Sequence, residues 1–328
     1  MGSLKADLIG RDIQKKVHES MGRSLPANSF EPEAKCEKKA WAKRYIKIND
    51  LQYASVYPNS FLDLYLPVDC GEKVPILLYA HGGGFLFCGK DSGDAYANGT
   101  EFDPDDKDSG FHGIVKQMLE MGIAVASMEY ALAPEYRFPV QIKQMDQAID
   151  YIKTNADTYA LDLNRLFLMG SSAGADMVEI YAAALGNEEY AHILGLSQMA
   201  ASIEDIKGVI IDESALTKDA PKEVNANILD QIWFGTDNLD DCQGKKVSFV
   251  PDNIKSFPPS FINCSTEEVW FYDSTYPLYQ VLQERGIETE FFIPKEGIYK
   301  HGYMMDYAAD KMAEECLQKV KVFISKYL

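Results

Sequence analysis

The run Gly-Ser-Ser-Ala-Gly at positions 170–174 constrains the fold of this chain more than any other feature. It follows the apolar stretch 165–169, which predicts a buried strand, and precedes a segment with helical character. A G-x-S-x-G pattern in this context is typical of a sharp turn that admits only very small residues two positions before and after its serine. Such a turn presents the serine hydroxyl at the carboxyl end of the strand, against a helix amino terminus. Ser172 is therefore the candidate nucleophile.

Apolar strands alternate with helical segments along most of the chain. Strands are predicted at 41–48, 61–66, 74–80, 123–128, 165–169, 208–211, 261–264 and 288–293, and the last helix at 303–328. The stretch 74–80 is almost continuously apolar, which favours burial on both faces of a sheet. The alternation predicts an α/β fold with a mostly parallel, doubly wound sheet and helices on both faces. In such sheets the functional residues gather at the carboxyl ends of strands.

Two segments stand apart from this alternation. Ile9, Ile13, Val17 and Met21 recur every four residues, which predicts an amphipathic helix that packs on the core through this stripe. Between residues 212 and 255 the strand–helix rhythm breaks, and it resumes with the strand at 261.

A glycine-rich loop, His81-Gly-Gly-Gly-Phe85, directly follows the predicted strand 74–80. Three consecutive glycines let a backbone approach a substrate closely and turn its N–H groups inward. The sharp serine turn requires such a loop for an oxyanion hole, which combines loop amides with the amide that follows the serine. Gly83, Gly84 and Ala173 are the predicted donors.

The general base is predicted by elimination among five histidines. Only His301 lies on the loop between the last predicted strand and the last helix, the position that a base in this chain order occupies. The acid that orients its imidazole is left open by the residues themselves. The candidates, all after predicted strands, are Glu267, Glu268, Asp273, Asp212 and Glu213.

Composition excludes several classes of function. The 328 residues carry 32 Lys+Arg and 50 Asp+Glu, a net charge of −18 that would repel nucleic acid. Six scattered cysteines without a C-x-x-C pair indicate free thiols in a reducing compartment rather than a disulfide framework or a zinc site. The amino terminus has no apolar run of signal-peptide length, and no stretch approaches the roughly 18 apolar residues that span a bilayer. We expect a cytoplasmic protein.

Four motifs together resemble the hormone-sensitive-lipase-like group of α/β-hydrolase esterases, which is common in bacteria. They are HGGGF at 81–85, YALAPE at 130–135, GSSAG at 170–174 and HGY at 301–303, in the order and spacing of that family. The resemblance implies one α/β-hydrolase domain over 1–328, with a helical cap formed by about 1–39 and about 213–255. It also implies that the acid is Glu268, which lies three residues after the serine that ends its strand. Ser171, where the family usually has aspartate, and Ala131, where it has arginine, depart from the pattern.

The function implied by the resemblance is a serine carboxylesterase for short-chain acyl esters, acting through Ser172, His301 and Glu268. Phe85, Phe87 and Trp270 are the aromatic residues expected nearest to the substrate. The expected partner is a small-molecule ester, with neither nucleic acid nor membrane, and no cofactor or metal is expected. The alternatives are an amidase or peptidase that uses the same triad, and a non-catalytic ligand receptor on this fold, which the presence of His301 disfavours.

Overall fold

A central sheet with helices on both of its faces organises the protein. The computed structural model describes residues 5–20, 26–41, 45–68, 73–91, 110–267 and 269–328. Within these ranges the strands are β1 (Lys38–Trp41), β2 (Tyr45–Gln52), β3 (Phe61–Pro67), β4 (Val74–Ala80), β5 (Ala124–Met128), β6 (Leu161–Ser171), β7 (Ile206–Asp212), β8 (Ser260–Asn263) and β9 (Thr289–Phe292). The helices are α1 (Lys5–Ser20), α2 (Gly110–Glu120), α3 (Val140–Asn155), α4 (Ala173–Leu185), α5 (Glu188–Ile193), α6 (Val224–Phe234), α7 (Gln243–Ser248), α8 (Val269–Glu284) and α9 (Lys311–Ser325).

The strands lie in the order β1-β2-β3-β5-β4-β6-β7-β8-β9. The pairs β1–β2, β2–β3 and β3–β5 are antiparallel, and all pairs from β5 through β4 to β9 are parallel. The predicted α/β fold with a mostly parallel sheet is therefore confirmed. Because β4, β6, β7 and β8 are parallel neighbours, the loops that follow them meet at one edge of the sheet.

The central strands are buried on both faces, as their sequence predicts. In β4, Ile76 and Leu78 point into the largest apolar cluster, which includes residues of α3, α4 and α8. Leu77 and Tyr79 point into the second cluster, with residues of α2 and α9. This two-sided burial holds the carboxyl ends of the strands in a fixed arrangement.

Two predicted elements are divided in the structure. The strand expected at 41–48 is an antiparallel pair, in which Lys38 of β1 lies opposite Ile48 of β2. The helix expected at 303–328 begins with one turn of 3₁₀ helix at Tyr303–Asp306 and restarts as α9. The restart has a local cause, because the Asp310 side chain accepts hydrogen bonds from the amides of Met312 and Ala313 and so caps α9.

Helix α1 forms where the four-residue stripe predicts it, but it packs through a different face. Ala6, Gly10 and Gln14 are buried, whereas Ile9 and Ile13 are only half-buried. The reason is the close approach of α1 to α6: a Cβ at Gly10 would lie 2.9 Å from Cδ1 of Ile232. Within the described ranges no helix is long and apolar enough to cross a membrane.

Candidate active site

Ser172 sits in the sharp turn between β6 and α4. Its backbone has φ 56° and ψ −123°, a conformation that is strained for a residue with a side chain. A Cβ at Gly170 would lie 2.0 Å from the carbonyl oxygen of Gly174, and a Cβ at Gly174 would lie 2.0 Å from that of Ala80. Both positions therefore require glycine. The Ser172 amide donates to the carbonyl oxygen of Asp212 at 2.8 Å, which ties the turn to the end of β7.

The glycine loop after β4 lies against this turn. A Cβ at Gly82 would be 3.1 Å from the Cβ of Ser172, and Gly83 and Gly84 have φ of 98° and 58°. Tyr130 fixes the loop, because its hydroxyl donates to the carbonyl oxygens of His81 at 2.7 Å and Gly82 at 3.2 Å. The rings of Tyr130 and His81 also stack, with centroids 4.1 Å apart.

The three amides predicted as oxyanion donors belong to two adjoining segments. Ala173 is the first residue of α4, and an amide at that position has no acceptor within its own helix. Gly84 lines the same pocket as Ser172 and Ala173. Gly83 precedes it in the loop, and its carbonyl oxygen accepts from the amides of Leu86 and Phe87.

Among the described residues, Glu213 places its carboxylate on His301; it is one of the acids that the sequence left open. The Nδ1 of His301 donates to Oε2 of Glu213 at 2.7 Å, and the same oxygen accepts from the amide of Gly302 at 2.5 Å. Glu213 is buried, and it directly follows β7, the strand beside the one that carries Ser172. Glu268 lies outside the described residues. We therefore revise the candidate acid to Glu213.

His301 is held on its other side by an aromatic ring. Phe271 of α8 stacks on the imidazole with centroids 4.2 Å apart and an interplanar angle of 14°. A ring in this position packs against the neutral imidazole and attracts the imidazolium through its π face. The His301 side chain remains 37% exposed, so solvent and substrate can reach it.

A chain of buried hydrogen bonds connects the loops that carry these residues. Asp212 accepts from the Ser171 hydroxyl at 2.7 Å and from the Asn263 amide at 2.6 Å. The Tyr303 hydroxyl donates to Oδ1 of Asn263 at 2.5 Å. Burial first, and then the charge of Glu213, raises the pKa of Asp212. These bonds connect Ser171, which precedes the nucleophile, and Asp212, which precedes Glu213, through Asn263 at the end of β8 to Tyr303, which lies two residues after His301.

The pocket at Ser172 is small, at about 40 Å³. Phe85 lines it and stacks on Trp233 of α6, with centroids 3.9 Å apart, and Trp270 forms another part of the wall. Phe87 packs instead against the apolar cluster between α1 and α6.

Two acidic side chains also line this pocket. Burial raises the pKa of Asp176 to about 7, and its carboxyl group accepts from the Ser214 hydroxyl and the Ala215 amide. Asp230 forms an ion pair with the buried Lys245 at 2.7 Å. Within the described ranges no group of three or more His, Cys, Asp or Glu residues is placed to hold a metal ion.

The sequence predicts that Ser172, His301 and the glycine loop lie at one end of the sheet, and in the structure all three lie at that end. It named Glu213 only as one of several candidate acids and did not identify the bridging roles of Asp212 and Asn263. The position of Glu213, immediately after an apolar strand, was the available signal.

Comparison with solved structures agrees with this fold. Esterase B from Lactobacillus Rhamnosis superimposes with a TM-score of 0.69 over 97% of this chain and 94% of its own, at 17% sequence identity. The same esterase has been solved with a C4-C4 SN3 tributyrin phosphonate inhibitor. The sheet, the serine turn and this likeness define an α/β-hydrolase.

The family model described as BD-FAE matches residues 62–284. The chain therefore belongs to the BD-FAE family, among the hormone-sensitive-lipase-like carboxylesterases that its motifs resemble. Carboxylesterase 20 from Arabidopsis thaliana is 32% identical over 130 residues, 36% of this chain and 35% of the plant protein. Carboxylesterase NlhH from Mycobacterium tuberculosis is 24% identical over 250 residues, 74% of this chain and 70% of the mycobacterial protein. The matched region spans only about a third of the first of these relatives.

Proposed function

We propose that the protein is a serine carboxylesterase that hydrolyses esters of short-chain acids through Ser172, His301 and Glu213. The observation that carries the proposal is the 2.7 Å contact between Nδ1 of His301 and Oε2 of Glu213, beside the strained turn of Ser172. A carboxylate on Nδ1 leaves Nε2 as the nitrogen that exchanges a proton with the serine hydroxyl.

The reaction proceeds in two acyl-transfer steps. Nε2 of His301 takes the hydroxyl proton as Oγ of Ser172 attacks the ester carbonyl carbon. The tetrahedral intermediate collapses, the bond to the alcohol oxygen breaks, and His301 gives its proton to the departing alcohol. Water then attacks the acyl carbon as the same His301 takes its proton. The bond between the acyl carbon and Oγ of Ser172 breaks, His301 returns the proton to Oγ, and the acid is released. Glu213 holds the imidazole in position and stabilises its charged form in both steps.

The amides of Gly83, Gly84 and Ala173 are the proposed oxyanion donors. Their segments meet at Ser172, and the hydroxyl of Tyr130 holds the glycine loop there before substrate arrives. Donors that are already positioned stabilise the developing charge without reorganisation, and each is worth about 3–4 kcal/mol in comparable sites.

Short acyl groups suit the space beside the nucleophile. A pocket of about 40 Å³ walled by Phe85, Trp233 and Trp270 has no depth for a long chain. Helices α1 and α6 pack on each other above it, and we propose that they form the cap over the acyl pocket. The tributyrin phosphonate that inhibits the structurally similar esterase B is consistent with short acyl groups in this pocket.

Replacement of the nucleophile tests the proposal. Ser172→Ala should abolish hydrolysis of ethyl butyrate and labelling by an organophosphate, because the hydroxyl forms the covalent intermediate. Ser171→Ala is the companion variant: it removes the neighbouring hydroxyl, which donates to Asp212, and it should keep organophosphate labelling at Ser172 and measurable hydrolysis. Labelling that persists in Ser172→Ala, or moves to Ser171, would contradict the proposal.

A further inference from the structure

A second and larger concavity adjoins the pocket at Ser172. It measures about 390 Å³, against about 40 Å³ for the pocket itself. Its walls are the loop 217–223, Phe249 and the first turns of α8, which contribute Trp270, Tyr272 and Tyr276. We call this concavity the aromatic groove. Trp270 lines both spaces, so the groove is continuous with the wall of the pocket.

The first turn of α8, which lines the groove, also contacts His301. Trp270 is followed in α8 by Phe271, whose ring stacks on the imidazole of His301 at 4.2 Å. The small pocket, by contrast, is lined by Ser172, Ala173 and Gly84, the residues around the proposed oxyanion hole. The small pocket therefore adjoins the segments of the proposed oxyanion hole, and the groove adjoins the turn of α8 that contacts His301.

The chemistry of ester cleavage assigns a half of the substrate to each space. His301 must protonate the alcohol oxygen as its bond to the acyl carbon breaks, so the alcohol half lies on the imidazole side. The acyl half stays on Ser172 and occupies the small pocket. We propose that the aromatic groove binds the alcohol half, and that the substrate class is an ester of a small acid with an alcohol that carries an aromatic ring. This inference rests on the proposed esterase function.

The walls of the groove favour a planar ring. Tyr272 and Tyr276 stack on each other with centroids 4.8 Å apart, which fixes their orientation on the surface of α8. Tyr276 is half-buried, and Tyr272 is 36% exposed, so ring surface is open to a ligand. Offset or edge-to-face contact with an aromatic ligand adds about 0.5–1.5 kcal/mol to the free energy of apolar burial.

Two isomeric esters test whether the groove binds the alcohol half or the acyl half of the substrate. 2-Phenylethyl propanoate carries its ring in the alcohol half, and ethyl 3-phenylpropanoate carries the same ring in the acyl half. Ethyl propanoate, which has no ring, serves as the reference substrate. We expect kcat/KM for 2-phenylethyl propanoate to exceed that for ethyl 3-phenylpropanoate by at least about tenfold, because only the groove has room for the ring.

Tyr276 lines the groove and not the small pocket, so Tyr276→Ala tests the groove alone. We expect the variant to lower kcat/KM for 2-phenylethyl propanoate about three- to tenfold, mainly through KM, because it removes binding of the leaving group. Hydrolysis of ethyl propanoate should be unchanged. Tyr159→Ala is the matched control: it removes a partly buried tyrosine that precedes β6, at the end of the strand opposite Ser172.

Several results would overturn the inference. They are equal kcat/KM for the two isomers, a preference for ethyl 3-phenylpropanoate that Tyr276→Ala removes, and an equal loss on ethyl propanoate in Tyr276→Ala. Failure of the wild-type protein to hydrolyse any of the three esters, together with no organophosphate labelling of Ser172, would overturn the proposed function and the groove with it. Labelling and ethyl propanoate hydrolysis without ring selectivity would overturn the groove alone.

Discussion

Asp212 and Glu213 are consecutive buried carboxyl groups with different surroundings. Glu213 contacts His301 and the amide of Gly302, whereas Asp212 accepts from Ser171 and Asn263. Burial first, and then the neighbouring charge of Glu213, raises the pKa of Asp212. Ionised Asp212 also interacts favourably with the charged form of His301. We infer that Asp212 positions the ends of β6, β7 and β8 and adjusts the charge around the imidazole.

Asp212→Asn tests this electrostatic role through the pH profile. Removal of a negative charge near the imidazole makes its protonated form less stable, so His301 stays neutral to lower pH. The acid limb of kcat/KM should therefore shift to lower pH, by roughly half a unit. Ser171→Ala, which removes a donor to Asp212 but leaves the carboxyl group in place, should shift the acid limb less than Asp212→Asn does. An unmoved acid limb in Asp212→Asn would show that the residue has only a structural role.

The candidate site could be predicted from sequence where backbone geometry imposes a local pattern. Gly170 and Gly174 are required by contacts closer than any side chain tolerates, so the turn of Ser172 leaves a readable signature. The acid has no such signature, because any strand that ends near His301 can supply a carboxylate. Glu213 follows β7, but the family pattern points one strand further, to the loop after β8. The contact of Glu213 with Nδ1 of His301 is a three-dimensional feature that no local pattern in the sequence reveals.

Helix α1 shows why the buried face of an element can differ from its apolar stripe. Gln14 is buried because its side-chain amide donates to the carbonyl oxygens of Leu86 at 3.0 Å and Ala133 at 3.1 Å. Two backbone groups that would otherwise be unpaired are satisfied in this way. Gly10 allows the close approach to α6 that these bonds need. Periodicity predicted the helix, but loop carbonyls far away in sequence determined which face it buries.

Helix α4, which begins directly after Ser172, carries two buried acidic side chains, Asp176 and Glu179. Burial raises the pKa of Asp176 to about 7 and that of Glu179 to about 8. In the unfolded chain both groups ionise near their ordinary values, about 4. At pH values between the unfolded and the folded pKa of each group, the folded protein binds more protons than the unfolded chain. These groups therefore make the free energy of unfolding fall as pH rises through that range.

Glu179→Gln should reduce this pH dependence. The variant keeps the shape of the side chain and removes its ionisation, so its free energy of unfolding should fall less than that of the wild type between pH 5 and pH 8, by roughly 2 kcal/mol. Denaturant unfolding at the two pH values measures the difference. Glu188→Gln, in the exposed first turn of α5, is the control and should follow the wild type. Parallel curves for Glu179→Gln and wild type would contradict burial of an ionisable Glu179.

The sheet and the net charge together shape the expected substrate range of the protein. The parallel strands bring the serine turn, the glycine loop and the His301 loop to one edge; α6 lines the pocket there, and α1 packs on α6. The fold could be predicted because strand and helix periodicities alternate through most of the chain. The covering helices could not be positioned from sequence, since their packing depends on contacts between distant segments. A net charge of −18 would repel anionic lipid surfaces.

The dependence of kcat/KM on acyl chain length tests the expected substrate range. In a series of ethyl esters, kcat/KM should be greatest between acetyl and hexanoyl and fall by at least about tenfold for longer chains, because the small pocket has no depth. The rate on tributyrin should not rise abruptly above its solubility limit, because nothing in the proposal requires a lipid interface. Efficient hydrolysis of emulsified long-chain triacylglycerol would contradict both expectations.

The pairing of Glu213 with His301 is the central claim, and it is tested by comparing kcat of Glu213→Gln and Glu268→Gln on ethyl butyrate. An amide at position 213 cannot stabilise the imidazolium, so Glu213→Gln should lower kcat by about 10³- to 10⁴-fold with little change in KM. Glu268→Gln should retain kcat within about twofold of the wild type, because another carboxylate occupies Nδ1 of His301. Folding of both variants is checked by their thermal unfolding. A large loss in Glu268→Gln with near-normal activity in Glu213→Gln would contradict the account.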